Sequence, residues 1–115
     1  MKRVAKSKTD FFDKVYKLVE KIPYGKVTTY GIIAENCGIK SSARTVGWAL
    51  NKAKFSNLPC HRVVNRKGEL TGKLHFGDPK LMQTLLKAEG VEFIDGHVDL
   101  EKFLWKPKKS KIDKN

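Results

Sequence analysis

The 115-residue chain is long enough for one domain with a modest core, about two-thirds of its unfolded surface being buried on folding. With 40% hydrophobic and 31% charged residues it is neither a disordered nor a membrane chain, and no apolar run nears the roughly 18 residues of a spanning helix. Twenty-four Lys and Arg against 12 Asp and Glu give a formal charge of +12, which points to a polyanionic partner, nucleic acid first.

In chain order, residues 1–9 form a basic tail carrying Lys2, Arg3, Lys6 and Lys8 without an acid. No apolar stretch follows Met1 to Asp10, so no signal peptide is expected and the chain is read as intracellular, cytoplasmic with access to DNA. Residues 10–105 are read as one domain and residues 106–115 as a second basic tail, five lysines against Asp113. Within the body, residues 14–88 hold 14 basic and four acidic residues, whereas residues 89–101 hold five acids. A basic body with an acidic strip near its end is the footprint of a protein that binds nucleic acid.

Thr9 is a candidate cap, and Phe11, Phe12, Val15, Leu18 and Val19 recur at helical spacing, which predicts a helix over 10–21 closed by Ile22-Pro23. Tyr24-Gly25 reads as a turn and Lys26 to Thr29 as a short extended piece, with Thr29 capping a helix from Tyr30 to Glu35. After Cys37-Gly38, the pair Ser41-Ser42 caps a further helix over 42–53. Two short helices joined by a turn containing Gly have the pattern of a helix-turn-helix. An extended apolar segment is expected from Leu58 to Asn65, then a turn through Gly68. Leu81, Met82, Leu85 and Leu86 predict a helix over 78–89 that stops at Glu89-Gly90, and Asp95-Gly96 predicts a β-hairpin. The fold class read from this order is mostly helical α/β, a winged helix-turn-helix DNA-binding domain with small β-hairpin elements.

Cys37 and Cys60 are too few and too far from any ligand-spaced histidine for zinc, and in a reducing compartment no disulfide is expected. Neither a metal nor an organic cofactor is implied. The stretch Pro59-Cys60-His61-Arg62-Val63-Val64 is the most informative in the chain. A cysteine is nucleophilic as the thiolate, and nearby positive charge or a proton acceptor lowers its pKa. Neighbours on an extended segment point to opposite faces, so adjacency alone does not bring His61 to the sulfur.

This stretch resembles the active-site motif of the O-6-alkylguanine-DNA alkyltransferases (methylated-DNA–protein-cysteine methyltransferases). Gly25-Lys26-Val27-Thr28-Thr29-Tyr30 is similar to that family's strand leading to a phosphate-contacting tyrosine, and Ala43-Arg44-Thr45-Val46-Gly47 to its recognition helix with an arginine finger. Leu85-Leu86-Lys87-Ala88-Glu89-Gly90 resembles the segment supplying the glutamate of a Cys-His-Glu relay. The pieces occur in the family's order over roughly residues 10–105.

The resemblance implies a monomer that binds duplex DNA through the minor groove, flips O-6-alkylguanine and accepts its alkyl group once on Cys60, a single-turnover S-methyltransferase. It makes His61 the base, working through a water, and Glu89 the residue that orients it. Tyr30 would crowd the 3′ phosphate, and Arg44 would fill the vacated stack, where a planar guanidinium stacks well. Ala43, Thr45 and Gly47 would lie at the groove, the small residues letting the helix backbone come close. Arg62 fits a structural ion-pair partner, and Asn51 a bridge from the recognition helix to the active-site segment.

Two features depart from the pattern. Residues 1–9 are read as a tail, not as the separate N-terminal domain found in many of the family, and the place of the glycine-rich lid after the motif reads Leu70-Thr71-Gly72-Lys73-Leu74-His75-Phe76-Gly77. Together with Glu89-Gly90-Val91 and the ending through Trp105, these are similar to the alkyltransferase-like proteins, which typically carry Trp in place of the reactive Cys, bind alkylated guanine without transfer and recruit nucleotide excision repair proteins. Retention of Cys60 makes the chain a mixture of the two. A third reading, a winged-helix transcription factor, requires sequence-specific binding to undamaged DNA.

Overall fold

The computed structural model describes residues 8–38, 43–53, 56–71 and 79–107. The first helix, α1 (Lys8–Glu20), starts two residues before the predicted boundary and takes in Thr9, which is therefore not its cap. Val15 and Val19 are fully buried, with Phe11, Phe12 and Leu18 packed beside them, so the apolar stripe read from the sequence is the face that meets the core.

Strand β1 (Thr28–Thr29) leads directly into α2 (Tyr30–Asn36). Thr29 caps that helix as expected, its hydroxyl oxygen accepting from the Ile32 N–H at 3.1 Å. Helix α3 (Ala43–Lys52) packs against α2 and α1. Its capping pair Ser41-Ser42 lies outside the described residues. Val46, Ala49 and Leu50 are buried on its inner side, and the Tyr16 hydroxyl donates to the Ala49 carbonyl at 2.8 Å, tying α1 to α3.

The predicted extended segment after Leu58 is instead a single 3₁₀ turn, Cys60–Arg62, running into β2 (Val63–Val64). The Arg62 N–H reaches the Pro59 carbonyl at 3.0 Å, and the Val63 N–H turns back to Cys60. Apolar composition alone does not separate a short strand from a short turn, and here the tertiary partners of residues 60–62 decide. Strand β2 pairs parallel with β1, Thr28 opposite Val63 and Thr29 opposite Val64. On the other edge of β1, Val27 exchanges bonds with the C-terminal segment, its N–H to Phe103 (2.9 Å) and its carbonyl from Trp105 (2.7 Å).

Helix α4 (Pro79–Ala88) buries Met82 and Leu86, but Leu81, expected on the same face, is 46% exposed. The hairpin β3 (Phe93–Ile94) and β4 (His97–Val98) turns at Asp95-Gly96, both residues at positive φ as a type I′ turn requires. A short helix α5 (Leu100–Phe103) follows, which the sequence reading did not anticipate.

Alternation along β2 divides the interior. Val63 joins the core of α1, α2 and α3, while Val64 joins a second core with Val27, Leu86, Val91 and Val98. The turn Asn65–Gly68 is built by the Asn65 side chain, whose Oδ1 accepts from the Lys67 and Glu69 N–H groups at 2.9 Å each. Gly68 sits at φ +83°, and a Cβ there would stand 2.7 Å from the Val98 carbonyl oxygen. Gly68→Ala is therefore expected to cost about 2 kcal/mol or more, from left-handed strain plus displacement of the hairpin. Urea unfolding measures it, and a loss under about 0.5 kcal/mol contradicts this packing.

Candidate functional site

Cys60, His61 and Arg62 share one turn, and three residues per turn fan their side chains apart. Cys60 points into the first core, where it is 1% exposed among residues that include Val46, Ala49 and Leu50 from the inner side of α3. His61 and Arg62 instead converge on Glu89 at the end of α4. The His61 Nε2 lies 2.7 Å from Glu89 Oε2, and Arg62 donates through Nε (2.9 Å to Oε1) and Nη2 (2.8 Å to Oε2). The remaining Arg62 nitrogen, Nη1, donates to the Ile22 carbonyl at 2.9 Å, and the guanidinium lies over the Tyr24 ring. The Gly25 N–H completes the set, donating to Glu89 Oε1 at 3.0 Å.

One carboxylate thus gathers the 3₁₀ turn, the loop after α1 and the end of α4. Its side chain is 8% exposed. Burial disfavours the charge most, but the bonds from Arg62, then Gly25 and then His61 outweigh it and hold the Glu89 carboxyl down at about 2. Glu89 is therefore ionised at neutral pH and accepts only, so the His61 Nε2 facing it is the donor.

The thiol behaves otherwise than its basic neighbours suggest. Burial pushes Cys60 up to about 11, and neither His61 nor Arg62 brings it down. Arg62 and the Nε2 of His61 are engaged by Glu89 and Ile22, and the sulfur sits in apolar surroundings that favour the neutral form. Two tyrosines border the thiol closely enough for a charge there to raise their own pKa values: Tyr16 from α1 and Tyr30 from the start of α2. Tyr30 is half-buried against the first core, raised mainly by burial and partly relieved by a hydrogen bond with the Thr71 side chain. Residues 72–77, most of the expected lid, lie outside the described residues.

The remaining sequence-predicted residues lie on α3. Ala43 and Arg44 are exposed in its first turn, Thr45 and Gly47 are half-buried, and Asn51 is exposed near its end. Among the described residues, nothing beyond its own helix lies within 4 Å of a Cβ built on Gly47, so no packing contact there explains a glycine. No hydrogen bond among the described residues links Asn51 to the 58–64 segment, so the bridging role is not supported. The outer side of α3 and the thiol behind it are thus two sides of one layer.

A cleft of about 490 Å³ lies elsewhere, between α2 and the C-terminal segment, with Ile32, Glu35, Arg66, Leu104 and Lys106 in its walls. Among the described residues no group of three or more His, Cys, Asp and Glu is placed to hold a metal ion, and no helix is long and apolar enough to cross a membrane.

Sequence reasoning missed Tyr16 and the parts played by Ile22 at Arg62 and by Gly25 at Glu89. The Ile22-Pro23-Tyr24-Gly25 turn was visible, but a turn does not announce which distant carboxylate its N–H will meet.

A helix-turn-helix layer backed by a buried cysteine and a His–Glu–Arg cluster defines a small DNA-binding domain of the alkyltransferase type. Residues 10–91 match the family model described as 6-O-methylguanine DNA methyltransferase, DNA binding domain, and the chain belongs to that family. It is 36% identical over 104 residues to Alkyltransferase-like protein 1 of Schizosaccharomyces pombe, covering 85% of this chain and 96% of that protein. The crystal structure of S. pombe Atl1 in complex with damaged DNA containing O6-carboxymethylguanine superposes with a TM-score of 0.75 at 35% identity, over 93% of this chain and 100% of that one. A DNA base-flipping protein of Vibrio parahaemolyticus is 38% identical, over 84% of this chain and 97% of its own length. A methylated-DNA–protein-cysteine methyltransferase of Methanosarcina acetivorans is 40% identical over 76% of this chain but only 56% of its own length.

Proposed function

We propose that the chain binds duplex DNA through the outer side of α3, extrudes an O-6-alkylated guanine and accepts its alkyl group on Cys60. The observation that supports this reading is that one turn, Cys60–Arg62, carries both the thiol, directed into the core behind α3, and an imidazole held by Glu89 at 2.7 Å. With its thiol pushed up to about 11, Cys60 rests protonated, so transfer needs a base in the complex with DNA. His61 takes the thiol proton, directly or through a water, while Glu89 stabilises the imidazolium that forms. The sulfur attacks the alkyl carbon, the bond from that carbon to O6 breaks, and the electron pair leaves on the guanine, which recovers a proton. The S–C bond is permanent, so each molecule acts once and no organic cofactor is required.

On the DNA side, Arg44 enters the gap left by the base and Tyr30 crowds the 3′ phosphate. Ala43, Thr45 and Gly47 line the approach of α3 to the groove, and the open space around Gly47 supports that close approach. Extrusion costs a few kcal/mol, least for a damaged base, and that difference selects the lesion.

A second reading keeps the binding and drops the transfer: the chain flips the lesion and marks it for nucleotide excision repair proteins. The near-complete coverage of the alkyltransferase-like and base-flipping relatives favours it, as does the 1% exposure of Cys60. Incubation with a duplex containing O-6-methylguanine, followed by intact mass, separates the two. The transfer reading expects one added methyl group per chain, absent in Cys60→Ser. Unchanged mass at saturating lesion leaves the second reading, and equal affinity for damaged and undamaged duplex ends both.

A further inference from the structure

Arg44, Gly47, Trp48 and Asn51 recur at the i, i+3, i+4, i+7 spacing of one helical face, opposite the buried Val46, Ala49 and Leu50. Trp48 is 51% exposed on that face. An indole is a large apolar surface, and one left half in water on a helix whose inner side is already filled marks a place where another molecule is covered. The helix carries Arg44 and Lys52 and no acid, so the charge around Trp48 suits a polyanion. We propose that Trp48 is a DNA-contacting residue whose indole covers the deoxyribose wall of the minor groove, one helical turn along from Arg44.

This inference rests on the reading of α3 as the DNA-facing helix. At about 1.5 Å rise per residue, Trp48 lies roughly 6 Å along the axis from Arg44. With base pairs about 3.4 Å apart, that span reaches a nucleotide step beside the one Arg44 enters. An apolar ring against sugars reads neither the lesion nor the sequence, so Trp48 contributes equally to damaged and undamaged duplex. Arg44 acts only where a base has left the stack. Affinity and discrimination are thus divided between two residues one turn apart.

Trp48 supplies its own signal, because the chain has two tryptophans and Trp105→Phe leaves it alone. With that variant, a saturating undamaged duplex is expected to shift the emission to the blue and protect it from acrylamide. Trp48→Ala is expected to weaken binding about tenfold for damaged and undamaged duplex alike, with Trp48→Gln as a second variant that keeps the helix. Unchanged quenching at saturation, or wild-type affinity of both variants, overturns the inference. If Arg44→Ala loses lesion preference while the Trp48 variants bind normally, only this inference fails. If neither residue affects binding, the reading of α3 falls with it.

Discussion

Glu89→Ala is expected to remove about 3–4 kcal/mol of stability, a large fraction of what a domain of this size has. The carboxylate accepts from Arg62, His61 and Gly25 at 2.7–3.2 Å, and its loss leaves the Arg62 guanidinium, 15% exposed, with the Ile22 carbonyl as its remaining acceptor among the described residues. An uncompensated charge at that depth, rather than the lost contacts themselves, dominates the cost. Glu89→Gln keeps volume and one acceptor and is expected to lose less. It also exposes a pH signature. The folded carboxyl is held at about 2 against an ordinary 4.5, so its contribution is complete above about 4.5 and is lost as pH falls towards 2. Wild type should therefore exceed Glu89→Gln by an amount that shrinks over that window, on the order of 2 kcal/mol after solvent screening. Urea unfolding at neutral pH and at about pH 3 measures both effects. A Glu89→Ala protein within about 1 kcal/mol of wild type removes Glu89 as the organising residue. On the proposed transfer reading, methyl transfer should slow roughly a hundredfold in Glu89→Gln, because a neutral amide no longer stabilises the imidazolium that forms.

Arg44→Ala should leave stability within about 0.5 kcal/mol of wild type, since the side chain is exposed and forms no ion pair among the described residues. Its effect falls on the lesion. An extruded base leaves a hole in the stack worth a few kcal/mol, and without a planar cation to fill it, lesion affinity is expected to fall about a hundredfold. Undamaged duplex, bound by the basic surface, should lose much less. Arg44→Lys is not expected to restore the preference, because an ammonium has no plane to stack. Anisotropy titrations with matched duplexes, with and without O-6-methylguanine, give the ratio, and an unchanged ratio means that Arg44 does not enter the stack.

The residues that carry these two predictions were legible to different degrees. Arg44 was set in a helix by the pair Ser41-Ser42, which lies outside the described residues, and its part at the DNA came from the family resemblance alone. Glu89 looked like an ordinary helix-end carboxylate, apart from the family resemblance. Its bonds join residues 25, 61 and 62 to 89, up to 64 positions apart, with Arg62 reaching on to Ile22, and no periodicity encodes a meeting of that kind.

By itself the sequence determined helices α1 to α4 to within two residues at their ends, the Thr29 cap, the Asp95-Gly96 hairpin, the basic body and the Pro59–Val64 motif, because each depends on spacing, side-chain type or charge within a few residues. Only the tertiary structure decided that residues 60–62 form a turn, that Arg62 and His61 meet on Glu89, and that the thiol is pushed up rather than down. A backbone chooses between turn and strand, and a thiol between its protonated and ionised forms, according to what packs against it, and those neighbours come from α1, α2, α3 and α4.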